Sequence, residues 1–131
     1  MPKSHLSAAS LAAWIAVVAV CAAQQPTFKR TELQRGDLSS GPREAVQVVV
    51  DFQPAATSGK HTHPGEELAY VLDGTLRLEV DGKPAVTLKA GDVFMVPAAR
   101  VHSATNTGPG AAKVLATYIV EKGKPIATPA P

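Results

Sequence analysis

Two histidines and a glutamate recur at strand spacing in the stretch from His61 to Glu67, which reads His-Thr-His-Pro-Gly-Glu-Glu. Because side chains of an extended chain alternate between its two sides, His61 and His63 point to the same side, and Glu67 shares their parity. Imidazole and carboxylate groups form a mixed nitrogen and oxygen ligand set that suits a divalent first-row metal. The spacing therefore predicts three metal ligands that face one cavity.

A fourth ligand, His102, is predicted from a distant strand, where it would close one side of the coordination shell and leave the other open. The chain has four histidines, and His5 falls in a predicted leader, so the mature protein has none outside this group. A single histidine in a strand is more often a hydrogen-bonded structural residue than a ligand. The prediction for His102 therefore depends on its combination with the His-x-His-x3-Glu cluster.

Residues 1–23 have the layout of a secretory signal peptide. Lys3 gives a basic start, residues 11–23 are an apolar stretch of 13 residues, and small residues precede Gln24. A spanning helix needs about 20 apolar residues, so we expect cleavage near Ala23, no stable membrane anchor, and a periplasmic or secreted protein. A lipoprotein signal at Cys21 is the less favoured alternative, because Val20 before it is bulky.

The composition narrows the function classes. A chain of 131 residues allows one domain. Loss of Lys3 leaves twelve basic and eleven acidic residues, which gives no indication of nucleic-acid binding. The single cysteine, Cys21, lies in the leader, so the mature chain needs no disulfide. No twin-arginine pair precedes the apolar stretch, so we expect the chain to acquire its metal outside the cytoplasm.

The elements that must position the ligands are all predicted strands. Alternating apolar residues indicate strands at 44–52 and 75–80, and Asp81-Gly82 is typical of a two-residue hairpin turn. Further strands are predicted at residues 67–72, 85–88, 93–96, 101–107 and 113–120. Helical spacing is absent after the leader, so a sandwich or barrel of antiparallel strands is expected. The predicted organisation is a signal peptide (1–23), an N-terminal arm (24–43) with brief pairing at a sheet edge, a barrel (44–120) and a loose tail (121–131).

The region from residue 60 to residue 106 resembles the cupin superfamily through two motifs. The first family motif is a glycine, five residues, His-x-His, three or four residues, a glutamate, six residues and a glycine. Here His61, His63, Glu67 and Gly74 match every position except the leading glycine. Gly59 is too close to the histidines to supply that one.

The second family motif is a glycine, five residues, Pro-x-Gly, two residues, a histidine, three residues and an asparagine. Gly91, Pro97, His102 and Asn106 fall in register with it. Ala99 stands where the second glycine is expected, and this departure bears on the tightness of that turn.

The resemblance implies an all-β, antiparallel jelly-roll (cupin) barrel whose interior holds a ligand or metal. It also implies that His61, His63, Glu67 and His102 bind one divalent transition metal, which in this family is copper, zinc, iron, manganese or nickel. Such a site would keep open positions for a small oxygen-rich molecule. The leading hypothesis is a metal-dependent oxidoreductase similar to the dioxygenase-like cupins. Whether the protein is an enzyme stays open, against a non-catalytic ligand- or metal-binding module and a metal-dependent isomerase.

The predicted site of export also bears on the metal. Three imidazoles and a carboxylate follow the general affinity order in which copper exceeds zinc, and both exceed iron and manganese. A chain that is exported unfolded cannot select its metal in the cytoplasm. Copper or zinc is therefore expected.

Several polar residues near the cluster have open roles. Strand parity places Glu66 on the opposite face or the rim, where a solvated surface charge is favoured over a general base. Tyr70, Gln47, Arg77 or Asn106 could orient the imidazoles, and the sequence does not rank them. For Asn106 the pinning of a turn is favoured.

Both faces of the strand at 67–72 are apolar. Ala69 and Val71 share the ligand face, and the opposite face carries Leu68, Tyr70 and Leu72. A small barrel with a second apolar face needs a cover, and a second copy of the chain is the simplest one, which predicts a homodimer. The alternative is that residues 24–41 fold over that face. Phe94 and Met95, in the next apolar strand, are expected in the core.

Overall fold

The computed structural model describes residues 25–131, so the predicted leader and its cleavage position after Ala23 lie outside the described residues. Those residues contain ten strands and no α-helix, and hence no helix that is long and apolar enough to cross a membrane. The strands are β1 Phe28–Asp37, β2 Arg43–Phe52, β3 His61–Thr62, β4 Gly65–Asp73, β5 Thr75–Val80, β6 Val86–Lys89, β7 Val93–Val96, β8 His102–Asn106, β9 Ala112–Glu121 and β10 Thr128–Pro129.

The strands form two five-stranded sheets. The first sheet has the order β1-β2-β9-β4-β7, and the second has the order β10-β3-β8-β5-β6. Every pairing between neighbours is antiparallel. The predicted all-β, antiparallel jelly-roll class is confirmed.

The core lies between the sheets and follows from a period of two in the longest strands. In β2 and β9 the apolar side chains that face inward are buried, whereas most of their neighbours are partly or fully exposed. The inward residues are Val46, Val48, Val50 and Phe52 from β2, and Val114, Ala116, Tyr118 and Val120 from β9. Burial of each such valine stabilises the fold by about 1.5–3 kcal/mol relative to exposure, so these two strands anchor the barrel.

The chain passes from one sheet to the other inside the motif that carries the ligands. β3 belongs to the second sheet, where His61 pairs with His102, and β4 belongs to the first sheet. Gly65 makes the passage possible, because a side chain there would collide with the backbone of Ile119 in β9. The alternation of buried and partly buried residues nevertheless continues from His61 to Glu67. The predicted ligand set therefore bridges the two sheets.

The N-terminal arm is more regular than the sequence indicates. β1 pairs with β2 along its whole length, with one irregularity between Glu32 and Gln34. Only Phe28 and Arg30 of this strand are partly buried, and Phe28 stacks on Phe52 with ring centroids 5.7 Å apart. A polar edge strand gives almost no hydrophobic period, so its length could not be predicted from side chains.

The tail that the sequence predicts as loose, residues 121–131, contains a paired segment. Thr128–Pro129 pair with His61–Thr62, and the Ala130 amide donates to the Lys60 carbonyl at 3.0 Å. These bonds satisfy backbone groups at the edge of β3 that would otherwise lack partners in the protein. Backbone pairing of this kind needs no side-chain pattern. It therefore could not be predicted from a tail sequence rich in Pro, Lys and Ala.

Candidate metal centre

Three histidines meet between the sheets. His61, His63 and His102 are 7%, 3% and 3% exposed, and one ring nitrogen from each lies within 4.8 Å of the other two. Their ring centroids are 4.3–4.9 Å apart. The structure therefore brings together all three histidines that the sequence singled out.

Backbone carbonyls set the orientation of each imidazole. The Nδ1 atoms of His61, His63 and His102 lie 2.9, 2.5 and 2.9 Å from the carbonyl oxygens of Gly59, Ile126 and Arg100, respectively. A carbonyl oxygen only accepts hydrogen bonds, so each Nδ1 must carry the proton. In the neutral ring this leaves the Nε2 lone pair available to a metal.

Glu67 completes the cluster as a buried carboxylate. Its Oε2 lies 3.1 Å from His102 Nε2 and 3.2 Å from His63 Nε2. Burial acts to raise the pKa of Glu67, but the neighbouring imidazoles of His102 and His63 outweigh this effect and hold it at about 2. The carboxylate is therefore ionised at neutral pH and supplies the negative charge of the site.

The cluster fits a divalent transition metal by two independent criteria. His63 Nε2 is buried and has no hydrogen-bond partner, although a Glu67 oxygen lies 3.2 Å away. Such an atom costs about 1–3 kcal/mol when it is left unsatisfied, and a metal would satisfy it. Three imidazole nitrogens and one carboxylate oxygen are also a donor set that such metals accept.

His61 is held neutral by its surroundings. Burial lowers the pKa of His61 to about 4, and the charges of His102, His63 and Arg30 act in the same direction, against its hydrogen bond to Gly59. Its Nε2 is therefore unprotonated at neutral pH.

A cavity of about 30 Å³ opens beside the cluster, with room for about two water molecules at 10–15 Å³ each. Arg30, Ser58 and Tyr118 contribute polar groups to its wall, in addition to the cluster residues. The rest of the wall is apolar and consists of Val50, Phe52, Leu78, Phe94, Ala104 and Val114. Such walls exclude bulk water and strengthen electrostatic interactions inside.

Two residues of this site were missed by sequence reasoning. Arg30 places its Nη2 atom 3.4 Å from His61 Nε2. The Tyr118 ring lies 4.5 Å from the His63 ring, and burial followed by the charge of Glu67 raises the pKa of its hydroxyl, which stays protonated. The alternation of β9 could have placed Tyr118 on the inner face. Arg30 lies in a strand with too weak a pattern to be assigned.

Within residues 25–131, none of the four side chains considered as supports for the imidazoles forms a hydrogen bond with a histidine. Tyr70 is exposed on the outer face of β4. Gln47 contacts Gln34 and Thr117, Arg77 contacts Glu79, and Asn106 contacts only backbone groups. The imidazoles are instead oriented by main-chain carbonyls, and the position of a carbonyl cannot be predicted from residue type.

Asn106 connects loops through hydrogen bonds, in agreement with the favoured interpretation that it stabilises a turn. Its buried amide donates to the carbonyls of Phe52, Gln53 and Gly110 and accepts from the Gly108 amide. These four bonds hold together the segments that follow β2 and β8.

Ala99 keeps the turn for which the family motif uses glycine. Its φ is 58°, in the left-handed region, and its amide donates to the His63 carbonyl at 3.0 Å. The next residue, Arg100, supplies the carbonyl that orients His102. The turn is therefore retained with backbone strain, and it supports two of the three histidines.

Glu66 lies outside the cluster. It forms an ion pair with Arg43, whose hydrogen bond lowers the pKa of the Glu66 carboxyl. The expected surface charge on the opposite face is what the structure contains, and Glu67 is the glutamate that faces inward.

Comparisons with known proteins agree with this architecture. The family model described as a cupin domain matches residues 48–118. Germin-like protein subfamily 2 member 1 of Arabidopsis thaliana is 35% identical over 74 residues, which are 53% of this chain and 34% of the relative. The chain thus spans about a third of the length of that curated relative.

Two solved structures share the fold at sequence identities below 25%. Recombinant oxalate oxidase in complex with glycolate superposes with a TM-score of 0.59 and 24% identity, over 65% of this chain and 45% of that chain. DMSP lyase DddQ from Ruegeria pomeroyi superposes with a TM-score of 0.64 and 21% identity, over 79% and 51% of the two chains.

Proposed function

The chain belongs to the cupin family, and we propose that it is an exported, metal-dependent oxidoreductase of the dioxygenase-like kind that acts on a small oxygen-rich compound. The observation that carries the proposal is the convergence of three Nε2 atoms whose Nδ1 partners are all bonded to carbonyls. A purely structural histidine cluster has no need of three rings that all leave Nε2 unprotonated.

In this proposal His61, His63, His102 and Glu67 hold one divalent metal. Bound there, a redox-active metal supplies Lewis acidity and electron exchange with dioxygen. The three carbonyls fix the rings, and the ionised Glu67 offsets part of the metal charge. The protonated Tyr118 hydroxyl, buried beside His63, is available to donate a hydrogen bond within the site. The apolar wall of the cavity limits access of water to the reacting groups.

Export and metal choice belong to the same proposal. We propose that the leader is cleaved near Ala23 and that the mature protein works in the periplasm or outside the cell, where the affinity order favours copper or zinc. Copper supports an oxygen-using enzyme. Zinc points instead to isomerisation, hydrolysis or simple capture of a ligand.

The size of the cavity favours a second candidate function. About 30 Å³ admits only a few atoms, which suits a non-catalytic module that stores metal or captures a very small ligand. Turnover of a substrate in the presence of oxygen separates the two candidates, because a binding module takes up its ligand without consuming it.

The deciding experiment is metal analysis of the protein purified from periplasmic extract without a nickel column, followed by oxygen-consumption measurements. Glycolate and the smallest enol-like compounds are suitable test substrates, because the cavity admits only a few atoms. Copper together with oxygen uptake supports the oxidoreductase, and zinc without uptake supports the binding module. Protein that retains no metal, and takes up none when metal is supplied, would contradict both the oxidoreductase and the metal-binding module. A His102→Ala variant should lose the activity and Glu66→Ala should keep it.

We further propose that two copies associate through the outer face of the first sheet. That face exposes Leu68, Tyr70 and Leu72 on β4, together with Val93 and Met95 on the edge strand β7, which are 69% and 56% exposed. The expectation that Met95 lies in the core is therefore wrong, whereas Phe94 packs against the core. β1 lies at the opposite edge of the sheet and does not cover this face. A second copy would remove this apolar patch from water.

A further inference from the structure

Arg30 brings a positive charge to the wall of a largely apolar cavity. It projects from the edge strand β1 on the face it shares with Val50, and it lines the cavity beside His61. Its Cζ lies 4.9 Å from the centroid of the Phe28 ring, and its Nε is buried without a hydrogen-bond partner. A guanidinium keeps its charge in proteins, so a buried Nε without a partner calls for an explanation.

The contact between Arg30 and His61 competes with a metal. His61 donates through Nδ1 to Gly59, so its Nε2 is an acceptor. Arg30 can only donate, and its Nη2 lies 3.4 Å from that acceptor. A metal that takes the same lone pair displaces the guanidinium. The displaced guanidinium then has N–H donors without partners in an apolar cavity, which is unfavourable unless another acceptor enters.

The charges of the metal, Glu67 and Arg30 determine which kind of acceptor would enter the cavity. A divalent metal and the Glu67 carboxylate leave one net positive charge, and Arg30 adds a second. In a low-dielectric cavity these charges favour an anion strongly. A carboxylate matches the planar fork of a guanidinium through two parallel hydrogen bonds. A cavity of about 30 Å³ admits only a few non-hydrogen atoms, so the ligand must be among the smallest carboxylic acids.

We propose that Arg30 is the anion-binding residue of the cavity, and that it selects a small carboxylate which binds together with the metal. This inference depends on the proposed metal site and deepens it by naming the chemical class of the ligand. Metal and carboxylate then bind cooperatively, each raising the affinity of the other by the same factor. The alternative is a structural role, because an inward-pointing charge on an edge strand also discourages pairing between the sheets of different molecules. The two roles predict different binding behaviour.

The test is calorimetric titration of Zn²⁺ into the metal-free protein, alone and with glycolate or its neutral amide, glycolamide, corrected for chelation in solution. Glycolate should tighten Zn²⁺ binding by about tenfold or more, the scale of a charge-assisted bidentate contact, and glycolamide should have little effect. Arg30→Met should abolish the enhancement while binding Zn²⁺ at least as tightly as the wild type, because a competitor for His61 has been removed. Lys29→Met, which removes the same charge from the exposed face of β1, should retain the enhancement.

Each other outcome overturns the inference in a distinguishable way. Zn²⁺ binding without a glycolate effect in the wild type would remove the carboxylate role and leave the metal site standing. Equal enhancement in Arg30→Met and wild type would show that the metal alone recruits the anion. Weaker Zn²⁺ binding by Arg30→Met would assign Arg30 a structural role in the edge strand. Failure of the wild type to bind Zn²⁺, Cu²⁺ or Fe²⁺ would overturn the proposed function and this inference together.

Discussion

At the scale of single residues, the chemistry of the site depends on which ring nitrogen of each histidine is free. Three carbonyls make that choice at His61, His63 and His102, and the inward Glu67 adds the charge. Parity and spacing predicted His61, His63 and Glu67, because alternation is a local property of an extended chain, whereas His102 was predicted from the histidine count and from the resemblance to the cupin motifs. The orienting carbonyls and Arg30 could not be predicted from the sequence, because their positions depend on the folding of distant segments.

Replacement of a proposed ligand by alanine should lower metal affinity by more than the roughly 10–100-fold that loss of an outer partner costs. We expect this for His61, His63, His102 and Glu67. Glu66→Ala is the matched control, since that side chain pairs with Arg43 outside the cluster, and it should leave the affinity nearly unchanged. Calorimetric titration of the five variants checks the prediction, and equal losses for the two glutamates would show that the wrong one was assigned.

The metal-free protein should lose stability as the pH falls from about 6.5 to about 4. The folded state depresses the pKa of His61 from 6.5 to about 4, so in this range the unfolded chain binds more protons than the folded one. The stabilisation is therefore complete above pH 6.5 and declines below it. Glu67, with its pKa lowered from 4.5 to about 2, contributes a further loss only below about pH 4.5.

Urea unfolding at pH 7, 6, 5 and 4 measures this effect. His61→Gln, which does not titrate, should show a shallower decline between pH 6.5 and 4.5 than the wild type. Identical slopes for the two proteins would show that other groups determine the acid sensitivity.

At the scale of elements, strand positions followed from the period of two and from turn residues. The predicted strands at 75–80 and 93–96 coincide with β5 and β7, and that at 44–52 differs from β2 by one residue. β1 and β10 were missed or underestimated because their pairing is carried by the backbone. Which strands share a sheet was also beyond local patterns, and the ligand motif, which looks continuous in sequence, crosses between the two sheets.

The turn before β8 offers a direct test of backbone strain. Ala99 adopts a φ of 58°, a conformation that costs a residue with a Cβ roughly 1–2 kcal/mol and glycine very little. After allowance for the greater freedom of glycine in the unfolded chain, Ala99→Gly should raise the free energy of unfolding by about 0.5–1 kcal/mol. Denaturant titration measures the change. Ala98→Gly, an exposed neighbour that lacks a positive φ, should be neutral or slightly destabilising, and a gain at both positions would argue against strain at Ala99.

At the scale of the whole molecule, the two edges of the first sheet differ in character. The β7 edge joins an apolar outer face, whereas the β1 edge is mostly polar. This asymmetry is the basis for expecting one interface and a closed dimer rather than an open array.

Light scattering during size-exclusion chromatography should give the mass of a dimer at high micromolar concentration. Met95→Lys, which places a charge in the apolar face of β7, should shift the protein to a monomer. Leu33→Lys is the matched control, because Leu33 is an equally exposed apolar residue on β1 at the far edge, and it should leave the mass unchanged. A wild-type monomer at that concentration would contradict the proposal.

The bond between His63 Nδ1 and the Ile126 carbonyl joins residues 63 positions apart, and this has a consequence for the order of events during biosynthesis. Translation proceeds from the N-terminus, so His61, His63, Glu67 and His102 all leave the ribosome before residue 126. Until residue 126 has been synthesised and has folded against the barrel, the ring of His63 lacks the carbonyl acceptor that selects its tautomer. A nascent chain that has not yet exposed residue 126 therefore carries the proposed ligands without the carbonyl that orients His63, and we expect its metal affinity to be lower than that of the folded protein.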